Sequence, residues 1–185
     1  IICISFPQSG RMEKFTMAIF LCGFMGCGKT TVGKKMASLL GKKYCDMDEL
    51  IVQKAGMSIP EIFEKLGEPE FRRMESELIV ELGQFSGIVS CGGGAMLSDI
   101  NGENAKKSGV VVFLDVPFET CYNRIKNDPN RPIAASRTKE QLKDLYDERY
   151  PKYKKNSGVC AECVDGPSNT ASIIINQLRE CGALK

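Results

Sequence analysis

Gly23-Phe24-Met25-Gly26-Cys27-Gly28-Lys29-Thr30 is the stretch that decides the fold. It satisfies G-x-x-x-x-G-K-[ST], the phosphate-loop pattern. The apolar run Met17–Cys22 precedes it and reads as a buried parallel strand. Thr31–Leu40 follows, with Val32, Met36, Leu39 and Leu40 at helical spacing. Strand, glycine loop and helix together give the pattern a mechanism. The glycines let backbone N–H groups close around a polyphosphate, and the helix N-terminus sets partial positive charge beneath it. Lys29 is then placed to reach the β- and γ-phosphates, and the Thr30 hydroxyl to hold Mg2+. A glycine-rich turn with no ligand would leave the Lys-Thr pair, in register with strand and helix, without a purpose.

The bulk numbers fit one α/β domain. The chain has 185 residues, 26% charged and 43% hydrophobic, with a net charge of +2. That balance is ordinary for a soluble globular protein and leaves no footprint for nucleic acid. No apolar run is long enough to span a membrane. Residues 1–16 stand apart from the pattern that begins at Met17. They read as an N-terminal extension or cloning remnant, and Met12 and Met17 are both candidate starts. Residues 17–185 form the domain. The nine cysteines are scattered, mostly in apolar segments, as expected of reduced thiols in a cytoplasmic protein. Cys160 and Cys163 make a lone C-x-x-C with no second pair, a weak basis for a zinc or redox site. There is no histidine, so Ser-His-Asp and Cys-His catalysis are excluded and a general base must be a carboxylate, Lys, Tyr or Cys.

Along the chain, strands alternate with helices. Gly41 reads as a helix C-cap, and Tyr44–Met47 as a second strand ending in Asp46-Met47-Asp48, whose two carboxylates alternation would put on one side. Asp48 alone could simply cap a helix over Glu49–Lys54, but a cap does not explain the second Asp. Ser58-Ile59-Pro60-Glu61 is a capping box opening a helix to Leu66, stopped by Gly67. A further helix is expected over Glu68–Leu82, on which Arg72 and Glu75 are three apart and can pair. Gly87–Cys91 reads as the third strand and runs into Gly92-Gly93-Gly94, where a backbone must come close to something. Asp99–Lys107 is expected to be helical, Val110–Leu114 is the clearest strand, and Pro117 opens a helix to Ile125 carrying Arg124. The polar, turn-rich segment from Lys126 has the composition of a closing lid bearing Arg131. Lys139–Tyr150 reads as a helix, Val159–Val164 as the fifth strand, and Asn169 as the cap of a last helix over Thr170–Cys181. Five alternating strands imply a parallel sheet with helices on both faces, its polar motifs gathered on the rim where the strands end.

Taken together, these motifs resemble the shikimate kinase family over nearly the whole chain from Met17. The resemblance rests on the phosphate loop, Asp46-x-Asp48, Gly67-Glu68-x-x-Phe71-Arg72-x-x-Glu75, Gly92-Gly93-Gly94, Arg131-Pro132 and Arg149-x-x-x-Tyr153. It implies transfer of the ATP γ-phosphate to the 3-hydroxyl of shikimate with Mg2+, on a three-layer fold of strand order 2-3-1-4-5. It also implies a substrate-binding segment at about 48–82 and a lid at about 126–138. By the same resemblance Asp48 would hold the acceptor hydroxyl and take its proton, and Lys29, Asp48 and Arg131 would be the catalytic groups. Arg72, Arg149 and the Gly93 backbone would bind the shikimate carboxylate. Gly26, Cys27, Gly28, Lys29, Thr30, Thr31, Arg124, Arg131 and Pro167 would hold ATP, with Arg124 and Pro167 beside adenine. Thr30, and Asp46 through water, would serve the metal. The departures are Cys27, where serine or alanine is usual, and Arg-Pro-Ile-Ala in the lid, where Arg-Pro-Leu-Leu is common. Neither removes a charge. The expected partners are small molecules alone, with no nucleic acid or membrane, and the expected state is a monomer in the cytoplasm.

Arginine's planar fork suits a carboxylate, and an aspartate suits a hydroxyl acceptor but would repel a phosphate. That weighs against a nucleoside monophosphate kinase. A gluconate-type sugar-acid kinase is a nearer rival, and a nucleotide-binding regulatory module without turnover a more distant one.

Overall fold

The computed structural model describes residues 17–126, 136–163 and 166–184. Arg131, Pro132, most of the expected lid, Val164, Asp165 and residues 1–16 lie outside the described residues.

At the centre is β1 (Ala18–Cys22), every residue of it buried. It pairs in parallel with β3 (Gly87–Ser90) on one side and β4 (Gly109–Asp115) on the other, matching Ile19 with Ile88 and Val110. Both neighbours are almost wholly apolar, as strands covered on two faces must be. The edges, β2 (Lys43–Asp46) and β5 (Val159–Glu162), are partly exposed. The sheet order is β2-β3-β1-β4-β5, all parallel, as the family resemblance implied. Every strand therefore ends on the same rim.

Helices α1 (Lys29–Leu40), α2 (Met47–Ala55), α3 (Ile59–Lys65), α4 (Gly67–Leu82), α5 (Asp99–Ser108), α6 (Phe118–Ile125), α7 (Lys139–Asn156) and α8 (Pro167–Glu180) join and cover the strands. Helix α1 packs on α8 and against β3, while α4, α5 and α7 form a second group reaching β4. Local chemistry explains most ends. Gly41 closes α1 in the left-handed region, and Ser58 with Glu61 makes the expected capping box of α3.

Three expectations need correcting. Helix α2 begins at Met47, not Glu49, and its N-cap is Asp46, whose Oδ1 accepts from the Asp48 amide at 3.1 Å. The two aspartates are thus neighbours through cap geometry rather than strand alternation. Helix α7 does not stop before Pro151 but runs on to Asn156. Pro151 lacks the N–H that would bond the Asp147 carbonyl, and both residues are exposed, so water can take that place. Finally, α8 starts at Pro167, which needs no N–H in the first turn, and Asn169 lies inside the helix.

The extension of α7 has a structural consequence. Its inner face carries Leu142, Tyr146, Tyr150 and Tyr153 against β4 and the phosphate loop. Tyr153 stacks on Phe113 at 5.6 Å, Tyr150 meets the same ring edge-on, and Tyr146 meets Phe24 edge-on at 5.2 Å. The eight described cysteines are all free, and burial pushes the thiols of Cys22 and Cys91 well above their ordinary value. They pack as small hydrophobes. Cys160 points to Asp115 and Cys163 to the Ala161 carbonyl, and no metal-ligating cluster exists among the described residues. None of the described helices is long and apolar enough to cross a membrane.

Candidate active site

The phosphate loop leaves β1 at Gly23 and enters α1 at Lys29. Gly26 has φ 80°, and a Cβ there would stand 2.7 Å from the Cys121 carbonyl oxygen, so the loop is pressed against α6 where only glycine fits. Gly28 caps α1 from the left-handed region without a side chain, which leaves the first helical N–H groups open to a ligand. Lys29 folds across its own loop. Its Nζ donates to the Gly23 carbonyl at 2.9 Å and the Phe24 carbonyl at 3.2 Å, and lies 3.7 Å from Cys27 Sγ. Cys27 is itself buried beneath the loop, and Thr31 is exposed on the first turn of α1. Arg124 reaches in from α6, its Nη1 donating to the Gly26 carbonyl at 3.0 Å. Pro167 is exposed at the start of α8.

Next along the rim stands the acidic pair. Asp46 Oδ2 accepts from the Thr30 hydroxyl and from the Tyr44 hydroxyl, each at 3.2 Å. Burial, more than the Asp46 charge, pushes the Tyr44 phenol up to about 12, so it remains a donor. Thr30 and Asp46 therefore present two hard oxygen ligands side by side, the donor type that Mg2+ takes.

Asp48 is half-buried on the first turn of α2 and faces Gly92. A Cβ on Gly92 would stand 2.7 Å from both Asp48 Oδ1 and Glu75 Oε1, so two carboxylates crowd the same α-carbon. Glu75 is 1% exposed. Burial, only partly opposed by Arg72, pushes its carboxyl up to about 6, and the Asp48 charge adds to the rise. Its Oε2 accepts from Arg72 Nη1 at 2.6 Å, the pair that the spacing predicted. On the other side Glu68 accepts from Arg72 Nε at 3.1 Å and Nη2 at 2.8 Å. Desolvation works against the Arg72 charge, but Glu75 and Glu68 outweigh it and hold the guanidinium above its ordinary value.

A cavity of about 470 Å³ opens beyond this pair, with Arg72, Arg149, Gly94, Glu68, Asn101 and Glu148 among its walls. That volume suits a small molecule. Two arginines from distant parts of the chain thus meet on one cavity, on α4 and α7. Asp48 does not line it, but is linked to it through Gly92 and Glu75. Of the glycine triplet, Gly94 forms the wall, while Gly93 turns its carbonyl to the Tyr153 hydroxyl. The close approach expected at the triplet is to the protein's own charged groups, since a Cβ on Gly94 would stand 2.1 Å from Arg72 Nη1.

Sequence reasoning marked the glycine triplet as a close approach but did not single out Tyr44, Asn101 or Asn156. Glu68 was named in a motif, and its pairing with Arg72 could have been found as well, since it lies four residues before Arg72 on one helix. The others owe their positions to contacts between distant segments, for which local spacing carries no signal.

Comparison with known proteins agrees with this geometry. The family described as shikimate kinase matches residues 25–179. A shikimate kinase of Geobacter sulfurreducens is 43% identical over 152 residues, 81% of this chain and 81% of that protein. The solved structure of shikimate kinase from Acinetobacter baumannii in complex with shikimate superposes with a TM-score of 0.82 at 40% identity, covering 91% of this chain and 96% of that one. A gluconokinase from Sinorhizobium meliloti shares the fold alone, with a TM-score of 0.60 at 15% identity over 91% of this chain and 94% of that one. The order of the motifs, the strand order and these likenesses agree: this chain belongs to the shikimate kinase family.

Proposed function

We propose that this shikimate kinase, whose reaction converts shikimate and ATP to shikimate 3-phosphate and ADP in aromatic amino-acid biosynthesis, divides the work between two ends of one rim. At one end the phosphate loop, residues 26–31, wraps the polyphosphate with backbone N–H groups. Lys29 gives up the Gly23 and Phe24 carbonyls and turns its ammonium to the β- and γ-phosphates. Arg124 and Pro167 flank the adenine, and Arg131 comes onto the phosphates from a lid at about 126–138. At the other end Arg72 and Arg149 grip the shikimate carboxylate, assisted by the Gly93 backbone, within a substrate segment of about 48–82. Asp48 orients the 3-hydroxyl and takes its proton.

The single observation that carries this reading is the cavity walled by Arg72, Arg149 and the glycine turn. Two guanidiniums on one cavity suit a planar anion: Glu75 and Glu68 fix the pose of Arg72, and Arg149 reaches the same wall from α7. Holding the acceptor in line with the γ-phosphate supplies about 7–11 kcal/mol of the rate enhancement that phosphoryl transfer needs. Lys29 and Arg131 add positive charge where negative charge is shared in the transition state.

Mg2+ fits this chain. Thr30 Oγ1 would bind it directly and Asp46 would hold it through water, and the sparse protein donor set suits an ion that keeps waters and phosphate oxygens as its other ligands. When bound, it would supply positive charge beside the phosphates of ATP, held by Thr30 and, through water, Asp46. All the proposed groups come from one chain, which supports a monomer. The free thiols support a reducing cytoplasm.

The test is ADP release with shikimate, quinate and gluconate compared at fixed ATP–Mg2+. Shikimate should be turned over fastest. Equal turnover of gluconate would remove the assignment of the two arginines to a ring carboxylate.

A further inference from the structure

The turn that follows β3 has an unusual supply of hydrogen bonds. It leaves the sheet at Cys91, and Ala95 and Met96 in it are fully buried, so its carbonyls need partners. The turn satisfies two of them itself: Gly92 accepts from the Ala95 amide at 3.2 Å and Gly94 from the Leu97 amide at 3.1 Å. The other three are taken by side chains from outside. The Tyr153 hydroxyl donates to the Gly93 carbonyl. Asn101 Nδ2 donates to the Ala95 carbonyl at 2.9 Å, and Asn156 Nδ2 to the Met96 carbonyl at 3.1 Å.

Two of those three donors sit on α7, the helix that carries Arg149. Arg149, Tyr153 and Asn156 are four and then three residues apart, so they share one face. Tyr153 is 2% exposed, stacks on Phe113 and is not in the cavity wall, whereas Arg149 and Gly94 are. The Arg149 charge acts on the Tyr153 hydroxyl, which burial keeps protonated. That hydroxyl, through its bond to Gly93, joins the helix bearing the arginine to the glycine turn. Because the peptide is planar and trans, fixing the Gly93 carbonyl also fixes the Gly94 N–H in the opposite direction.

We propose that Tyr153 and Asn156 are positioning residues for shikimate: they lock the turn 92–96 to the helix bearing Arg149, so that the backbone and guanidinium parts of the carboxylate site hold one geometry. This rests on the assignment of Arg149 to the substrate carboxylate. Neither residue touches the substrate. Both act by denying the turn and the arginine independent motion.

The experiment is steady-state kinetics in both substrates for Tyr153→Phe, Arg149→Ala and the double variant, with thermal melts of each. Phenylalanine keeps the stacking on Phe113 and removes only the hydroxyl. Loss of that hydroxyl should raise the shikimate KM about tenfold and leave the ATP KM within about twofold. In the Arg149→Ala background the same change should raise the shikimate KM less than about threefold, because the residues act as a unit. Asn156→Leu removes the bond to Met96 and should give the same pattern, which provides a second route should Tyr153→Phe fail to fold. A lowered Tm with a wild-type shikimate KM would overturn the inference, since the hydroxyl would then serve the fold alone. Effects of Tyr153→Phe and Arg149→Ala that multiply in the double variant would overturn it as well. If Arg149→Ala by itself left the shikimate KM unchanged, the carboxylate assignment would fail first and take the inference with it.

Discussion

Replacing Gly94 with alanine isolates the placement of Arg72. Gly94 has φ −104° and ψ −18°, a conformation alanine adopts without strain. Its new Cβ, however, would stand 2.1 Å from Arg72 Nη1, 2.6 Å from Cζ and 2.9 Å from Nη2. The guanidinium has to leave, and as the end of a flexible side chain it can do so without moving the backbone. The damage falls on what it touched. The Glu68 contact is largely exposed, with side chains 35% and 60% accessible, and contributes little. The 2.6 Å bond to Glu75 matters more, because it leaves a carboxylate that is 1% exposed without its charged partner. That should cost about 2 kcal/mol, or about 6 °C in Tm for a chain of this size.

The cost should also depend on pH. The Glu75 carboxyl already sits at about 6, through burial, and removing Arg72 pushes it higher. At pH 8 the variant must bury the bare charge or bind a proton from a dilute supply, so the full loss shows. At pH 5 Glu75 is largely protonated in both proteins and the loss shrinks. Melts at pH 5 and 8 read this directly, and steady-state kinetics read the site, where the shikimate KM should rise about tenfold or more with the ATP KM unchanged. Gly93→Ala serves as the melting control, since a Cβ there meets nothing within 4 Å. A wild-type shikimate KM in Gly94→Ala would remove Arg72 from substrate binding. An equal fall in Tm at both pH values would show that Glu75 is not the partner being lost.

The remaining substitutions address single groups. Asp48→Asn keeps the shape of the side chain but cannot take the acceptor proton, so kcat should fall about 100-fold or more while nucleotide still binds; near wild-type turnover would remove Asp48 from the chemistry. In the wild type, Glu75 binds its proton more tightly folded, at about 6, than at the ordinary 4.5. Its contribution to stability is therefore full below 4.5 and lost as the pH rises through 6, a difference of about 2 kcal/mol. Glu75→Gln should erase that fall in the urea midpoint between pH 4.5 and 7, and a slope that survives would belong to another group. Asp46→Ala removes the cap on the Asp48 amide and the partner of Thr30. It should lower stability by about 1 kcal/mol and raise the Mg2+ concentration needed for half-maximal rate; an unchanged Mg2+ dependence would leave Asp46 as a helix cap only.

The site was legible in the sequence where covalent neighbours or one helical turn set the geometry. The phosphate loop is fixed by the strand before it and the helix after it, so its eight residues could be placed directly. Arg72 and Glu75 lie three apart on a helix, which puts them side by side whatever the rest of the fold does. The parallel sheet and its common rim follow from alternation of strands and helices with parallel crossovers, whereas the strand order was implied by the family resemblance. The same local reasoning went wrong at Asp46. Read as strand, the pair Asp46 and Asp48 should face one way through alternation. Instead the chain turns helical at Met47, and Asp46 earns its place by satisfying an otherwise open amide.

Contacts across long separations were not legible. Tyr153 and Gly93 are 60 residues apart, and Arg124 and Gly26 are 98. No periodicity links such pairs. Pro151 made the first one harder to see, because a proline usually ends a helix and the expected boundary at Tyr150 left Tyr153 in a loop. The helix continues because the cost of Pro151 is paid on the solvent side, where water can satisfy the Asp147 carbonyl. Its inner side still presents Arg149, Tyr153 and Asn156 on one face. A loop could have brought Arg149 to the cavity, but it could not have held the arginine and the glycine turn at a fixed separation. The six residues of helix beyond Tyr150 carry both Tyr153 and Asn156, whose bonds to Gly93 and Met96 tie the helix of Arg149 to a glycine turn more than fifty residues earlier in the chain.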